Sequence, residues 1–211
     1  MSPDRQPRLG ARRRRGHHRV GILAIQGDVD AHREALAAVG AEGLPVLKEK
    51  QLDGLDALIL PGGESTTISK GLDRLGLYEP IGSFAASGRP VLGTCAGAIL
   101  VARAAAHHPV QTLGLIDLVA HRNAYGTQVD SFATSADSGT APGFVGLRCV
   151  FIRAPRLLDL GPEVEVLVQV DGAPVMVRQG QILATTFHPE LTDDLRVHRL
   201  LLELAARAGS H

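Results

Sequence analysis

Four short apolar runs in the first half of the chain, at 20–25, 44–47, 57–60 and 90–93, alternate with segments whose apolar residues fall at helical spacing. Runs of four to six residues are too short for helices and fit buried strands. The intervening segments 29–39, 65–74 and 77–87 have the helical period, and the first is bracketed by Asp28 as a candidate N-cap and Gly40 as a stop. Strands alternating with helices pair in parallel, and their crossovers cover both faces of the sheet. The pattern predicts an α/β fold, a three-layer sandwich with a mostly parallel central sheet.

Beyond a further helix expected at about 96–105, the character shifts toward strands at 115–120, 145–152, 164–170, 175–178 and 182–186. Gly172 and Gly180 stand where hairpin turns are needed. The segment 134–143, rich in Ser, Thr, Gly and Pro, reads as a loop, and a terminal helix is expected at about 193–207. Residues 20–211 are long enough to bury a core without metal or disulfide staples, so one domain is expected there.

Charge sets the first 19 residues apart. They hold seven arginines against one aspartate, a charge of +6, which leaves −6 on the rest of a chain whose formal net charge is zero. An acidic body argues against a nucleic-acid partner, because phosphate binding needs basic charge on the folded surface. The tail itself lacks apolar periodicity and reads as a solvated, disordered extension or the product of an early start codon; docking to an acidic surface is the other reading. No run of roughly 18 apolar residues exists, so no membrane span or membrane partner is expected. The two cysteines, Cys95 and Cys149, match no metal-ligand spacing and suggest neither a disulfide nor a metal site. A cytoplasmic protein without metal or cofactor is the expectation.

Cys95 sits in Gly93-Thr94-Cys95-Ala96-Gly97, between a buried run and a helix. A reactive side chain on a glycine-flanked strand-to-helix turn is the pattern of a nucleophile elbow. The helix N-terminus there favours thiolate over thiol and offers N–H groups to an oxyanion. A small buried cysteine packed like Ala is the alternative. Cys149, in an apolar strand without flanking glycines, is assigned to the core.

A thiol acting on an amide needs an imidazole to take its proton and return it to the leaving nitrogen. Of nine histidines, His17 and His18 fall in or beside the tail, and His107, His108 and His211 have polar or terminal settings. His32, His121 and His198 have no acidic residue at a telling offset. His188 ends an apolar strand, precedes Pro189 and has Glu190 two residues on, where an extended segment would point both side chains the same way. Glu190 could then fix the tautomer of His188 and stabilise its imidazolium.

A second glycine turn, Pro61-Gly62-Gly63-Glu64-Ser65-Thr66, also ends a buried run and opens a helix. In a parallel sheet the C-terminal strand ends share one edge, where ligands bind. Gly63 could thus aim an N–H at the carbonyl attacked by Cys95, with Ala96 as second oxyanion donor. A phosphate site is the competing possibility, but the turn lacks the spacing and lysine of a P-loop.

GTCAG (93–97), FHPE (187–190) and PGGES (61–65) together resemble the class I, or triad, glutamine amidotransferases. Within them LAIQGDVDAH (23–32), LPGGESTTI (60–68) and RNAYGTQVDSF (122–132) resemble the glutaminase subunits of pyridoxal 5′-phosphate synthases, over about residues 20–207. The resemblance implies a class I glutamine amidotransferase fold and a glutaminase that passes ammonia to a synthase subunit. It implies a triad of Cys95, His188 and Glu190 and L-glutamine contacts at Gly63, Glu64, Ser65, Arg122, Ile152 and Arg153. The charges suit an amino acid substrate: Glu64 for its ammonium, and Arg122 or Arg153 for its carboxylate. The arginine-rich tail departs from the family pattern. A cysteine peptidase and a non-catalytic scaffold subunit are the competing functions, the first disfavoured by FHPE and the second by the presence of all three chemical residues.

Overall fold

In the computed structural model, which describes residues 17–106, 110–121, 131–137 and 141–209, the apolar runs become neighbouring strands of one sheet. The chain passes through β1 (Arg19–Leu23), α1 (Val29–Ala38), β2 (Glu42–Val46), β3 (Ala57–Leu60), α2 (Ser65–Leu75), α3 (Tyr78–Ala86), β4 (Val91–Thr94) and α4 (Ala96–Val101). It continues through β5 (Ala102–Ala106), β6 (Ile116–His121), β7 (Ser131–Ser135), β8 (Arg148–Ile152) and β9 (Arg156–Leu158). The strands β10 (Glu165–Val170), β11 (Ala173–Gln179) and β12 (Ile182–Thr185) and the helix α5 (Arg196–Ala208) complete it.

The main sheet has seven described strands in the order β10-β11-β12-β4-β3-β1-β2. From β12 to β2 every pairing is parallel, while β10, β11 and β12 form an antiparallel meander at one edge. Every residue of β3 and β4 is buried, as expected of central strands covered on both faces. Alternate residues of β3 serve two cores. Leu58 and Leu60 pack with Ile68 and Leu72 of α2, Phe84 of α3 and Leu100 of α4. Ala57 and Ile59 pack with Leu36 of α1 and Val197, Leu201 and Leu204 of α5. Helices α2, α3 and α4 therefore cover one face and α1 and α5 the other, which gives the three layers that the alternating pattern predicts.

The C-terminal half is less regular than its sequence suggests. The helix expected over 96–105 stops at Val101, and Ala102–Ala106 is a strand paired in parallel with β6. Alanine favours helix locally, and pairing with a partner strand overrides that weak preference. Residues 134 and 135 of the expected loop belong to β7, which pairs with β8, and the three-residue β9 adds a third strand to the β5-β6 pair. Asp28 precedes α1 but its side chain makes no capping hydrogen bond. Arg19, counted with the charged tail, opens β1, and its N–H donates to Asp56 Oδ2 at 2.9 Å. Among the described residues no helix is long and apolar enough to cross a membrane.

Candidate active site

The ends of β3 and β4, the connection after β8 and the turn after β12 meet around one cavity of about 300 Å³. Cys95 stands in the sharp turn from β4 into α4, with φ 49° and ψ −104°, a region that a residue with a side chain adopts only when its surroundings enforce it. Its N–H donates to Thr185 O on β12 at 2.8 Å, and its carbonyl accepts from Ala98 N–H at 3.1 Å. The flanking glycines are steric requirements. A Cβ on Gly97 would lie 1.9 Å from Leu60 O, and one on Gly93 would lie 2.4 Å from Gly97 O. Helix α4 can pack this closely on β3 only without those side chains.

His188 follows β12. Its N–H donates to Val150 O at 2.8 Å, tying it to β8, and its Nδ1 lies 2.8 Å from Glu190 Oε1. The two side chains meet because Pro189–Leu191 is a single 3-10 turn begun by proline, and not because the segment is extended as the strand argument assumed. Burial alone would push the His188 imidazole toward neutrality. Its hydrogen bonds to Cys95 and Glu190 and the Glu190 charge outweigh burial and raise its pKa to about 10. Burial works against charge on Glu190 as well, yet the hydrogen bond from His188 and the nearby imidazoles keep its pKa below the ordinary carboxylate value.

The second glycine turn packs directly on this pair. A Cβ on Gly62 would fall 2.4 Å from His188 Cε1, and a Cβ on Gly27 would fall 1.9 Å from Gly62 O, so two close approaches hold the turn between Gly27 and the imidazole. Gly63 has φ 150°, and Gln26 Oε1 accepts the Glu64 N–H at 3.1 Å. Glu64 caps α2. Its carboxylate accepts from the N–H groups of Thr66 and Thr67 at 3.0 and 2.7 Å and from Thr67 Oγ1 at 2.9 Å. Burial opposes its charge, but these donors bring its pKa down to about 2.

Of the residues singled out in the sequence, Gly63, Glu64, Ser65, Cys95, Ala96, Ile152, Arg153 and His188 all line the cavity, with Glu190 behind His188. Arg122 lies outside the described residues. The Ser65 hydroxyl is buried without a hydrogen-bond partner among the described residues. Ile152 takes part through its backbone, its carbonyl lying 3.7 Å from Cys95 Sγ. Arg153 is held at φ 44°, so strained non-glycine backbone occurs on both sides of the cavity. Cys149 is fully buried, with its thiol pushed up to about 12 mainly by burial, and plays no part in the cavity.

The residues that sequence reasoning missed are Gln26, which anchors the second glycine turn, and His32, whose Nε2 lies 3.5 Å from Glu190 Oε2. Gln26 had a signal as the polar residue just after a buried run; His32 had only its residue type and its place at the end of the LAIQGDVDAH motif. Among the described residues, Asp28, His188 and Glu190 bring possible metal-ligand atoms within 4.8 Å of one another. His188 and Glu190 already share one hydrogen bond, between Nδ1 and Oε1.

A strained thiol at a glycine elbow, an imidazole and carboxylate behind it and a substrate-sized cavity match a known group of proteins along nearly the full chain: the profile of the SNO glutamine amidotransferase family covers residues 22–207. The chain belongs to that family. It is 48% identical over 191 residues to the pyridoxal 5′-phosphate synthase subunit PdxT of Geobacillus thermodenitrificans (strain NG80-2), spanning 90% of this chain and 96% of that protein. It is also 48% identical to the PdxT of Thermotoga maritima, over 88% of this chain and 98% of that one. A solved structure described as a glutamine amidotransferase superposes with a TM-score of 0.84 at 46% identity, covering 89% of this chain and 98% of its own. More remote structures share the fold alone, among them PurLQS from Thermotoga maritima, with a TM-score of 0.64 at 18% identity over 88% of this chain and 98% of that one.

Proposed function

We propose that this chain hydrolyses L-glutamine to L-glutamate and ammonia, and that it supplies the ammonia to a synthase subunit that makes pyridoxal 5′-phosphate. The observation that carries this reading is the meeting of the Cys95 elbow, the His188–Glu190 pair and the Gly62-Gly63 turn at one cavity. The relatives named pyridoxal 5′-phosphate synthase subunits support the choice of acceptor.

In this mechanism His188, oriented by Glu190 and with its pKa raised to about 10, already holds the proton of the Cys95 thiol, and the sulfur attacks the side-chain amide carbon of glutamine. The carbonyl oxygen becomes an oxyanion that the N–H groups of Gly63 and Ala96 receive. As the tetrahedral adduct collapses, the C–N bond breaks and His188 returns the proton to the leaving nitrogen, which departs as ammonia. Water, deprotonated by the same imidazole, then attacks the thioester carbon, and breaking the C–S bond releases glutamate and restores the thiol. Gly63, Glu64, Ser65, Ile152 and Arg153, with Arg122, are the proposed glutamine contacts. The unpaired Ser65 hydroxyl and the ionised Glu64 fit an amino acid bearing both charges.

The glutaminase unit is taken as residues 20–211, with 1–19 an extension outside it. A cytoplasmic location suits a nucleophile that must stay a reduced thiol. The test is glutamate and ammonia release from glutamine in the presence of the synthase subunit, set against a panel of peptides. Faster turnover of the peptides would replace this reading with that of a cysteine peptidase.

A further inference from the structure

Behind the triad carboxylate lies a buried pair of imidazoles that the mechanism above leaves unused. His32 on α1 and His198 on α5 are both fully buried and stand 166 residues apart in sequence. His32 Nε2 lies 3.5 Å from Glu190 Oε2 and 3.4 Å from Thr94 Oγ1, the hydroxyl of the residue that precedes the nucleophile. Its other nitrogen, Nδ1, lies 3.2 Å from His198 Nε2. His198 Nδ1 and Glu190 Oε2 are buried with no hydrogen-bond partner of their own among the described residues.

Proton counting along this row gives two arrangements, and the one in which Thr94 Oγ1–H donates to a bare His32 Nε2 is disfavoured because it sets that nitrogen's lone pair against an ionised carboxylate. An ionised carboxylate only accepts, so in the favoured arrangement the His32 nitrogen facing it carries hydrogen. A neutral His32 with hydrogen on Nε2 has a bare Nδ1, so His198 Nε2 must be the donor between the rings. His198 Nδ1 is then a bare acceptor, which agrees with its lack of a partner. Burial is the largest influence on both rings and pushes both toward neutrality, His198 down to about 4. The groups facing His32 are Glu190 and Asp28, which favour its charge, and His188, which opposes it. His198 faces His32, which opposes its charge, and Glu190, which favours it.

We propose that His32 is a positioning residue of the triad, its Nε2–H steering the second carboxylate oxygen of Glu190, with His198 fixing the His32 tautomer. Among the described residues His188 is the one side chain hydrogen-bonded to the Glu190 carboxylate, through Oε1, and any rotation of that carboxylate would carry the imidazole with it. His32 supplies a second contact. Because the same nitrogen also faces Thr94, the contact links the carboxylate to the β4 end that carries Cys95. The contact is longer than a normal hydrogen bond, so it acts as a directional dipole on the carboxylate and tightens while His188 carries the proton. The proposal rests on the glutaminase reading above.

The test uses the full chain with the synthase subunit and compares wild type with His32→Phe and His32→Gln. Phenylalanine keeps the bulk and removes the donor; the glutamine amide returns an N–H close to the position of Nε2. His32→Phe is expected to lower kcat about 10- to 100-fold with KM for glutamine within about threefold, and His32→Gln to recover most of that loss. Equal losses in both variants, or a KM change matching the kcat change, would assign His32 a merely structural role. Nitrogen-15 spectra of the wild-type histidine rings give an answer even if His32→Phe does not fold. Neutral Nε2–H tautomers for both rings at pH 6 support the proposal, and hydrogen on His32 Nδ1 alone, or an imidazolium, overturns it. A wild type inert toward glutamine would sink the parent reading and this one together; an active wild type with His32→Phe within threefold of it would sink this one alone.

Discussion

Replacing Glu190 by Gln removes one charge from the site and almost no volume. In the native site Glu190 Oε1 holds His188 Nδ1 at 2.8 Å, which keeps hydrogen on that nitrogen and leaves Nε2 free for the thiol proton. A glutamine amide can turn its NH2 to Nδ1 and lock the imidazole in the wrong tautomer. Even with its oxygen toward the ring it offers no charge to the imidazolium. The interval between the ordinary imidazole value of 6.5 and about 10 for His188 corresponds to about 5 kcal/mol of preference for the protonated ring, shared between Cys95 and Glu190. Without the carboxylate, burial regains the advantage and the pKa falls back. The expected loss in kcat is about 10³- to 10⁴-fold, or about 4–5.5 kcal/mol, with KM for glutamine within about threefold.

Glutamate release at saturating glutamine, with the synthase subunit present, measures that loss. Stability offers a second readout. The raised His188 contributes stability fully present below pH 6.5 and lost as pH climbs through about 10. The depressed Glu190 contributes stability present above pH 4.5 and lost as pH falls through its folded value. The gap between wild type and Glu190→Gln in urea unfolding is therefore widest between pH 4.5 and 6.5 and narrows toward pH 10. A folded variant with kcat within threefold of wild type, or a gap that ignores pH, would refute the role given to Glu190.

Arg153→Ala takes a cation from the cavity rim, and losing one charge-assisted hydrogen bond of about 1.5–3 kcal/mol should raise KM for glutamine about 10- to 100-fold with little change in kcat; unchanged KM would remove Arg153 from the binding set. Gly97→Ala places a Cβ 1.9 Å from Leu60 O, so thermal unfolding should show about 1–3 kcal/mol of destabilisation and kcat/KM should fall about 10²-fold as the elbow shifts away from His188. Glutaminase assays of the isolated chain should show low activity that the synthase subunit raises about 10²- to 10³-fold, the worth of one oxyanion donor, because docking is expected to turn the Gly62-Gly63 peptide, which packs on Gly27 in this structure, through dihedrals open to glycine; equal rates with and without the subunit would rule out partner gating.

What the sequence revealed and what it hid follow from the range of the interactions. Strands β1, β3 and β4 announce themselves as apolar runs because both faces of each are buried, whereas β2 stands at the sheet edge with only Val46 fully buried. β5 is mostly alanine and becomes a strand only by pairing with β6, while the three residues of β9 are too few to show a pattern. Cys95 was legible because its glycines are adjacent, and Glu190 because it lies two residues from His188. His32 was not, since its link to Glu190 and His198 joins the first helix to the far end of the chain, and in sequence it is one more residue on an amphipathic helix. Glu64 was legible as a carboxylate at the cavity, but its work as the cap of α2 appears only in three dimensions.

The central claim is that one thiol, Cys95, attacks glutamine, and the chain contains its own control in Cys149, which is buried and held protonated. The most direct measurement is ammonia release from glutamine by Cys95→Ala and Cys149→Ala side by side, with the synthase subunit present and folding checked by circular dichroism. The account predicts no detectable release above background from Cys95→Ala and most of the wild-type rate from Cys149→Ala. Ammonia release by a folded Cys95→Ala at a rate near that of Cys149→Ala would contradict it.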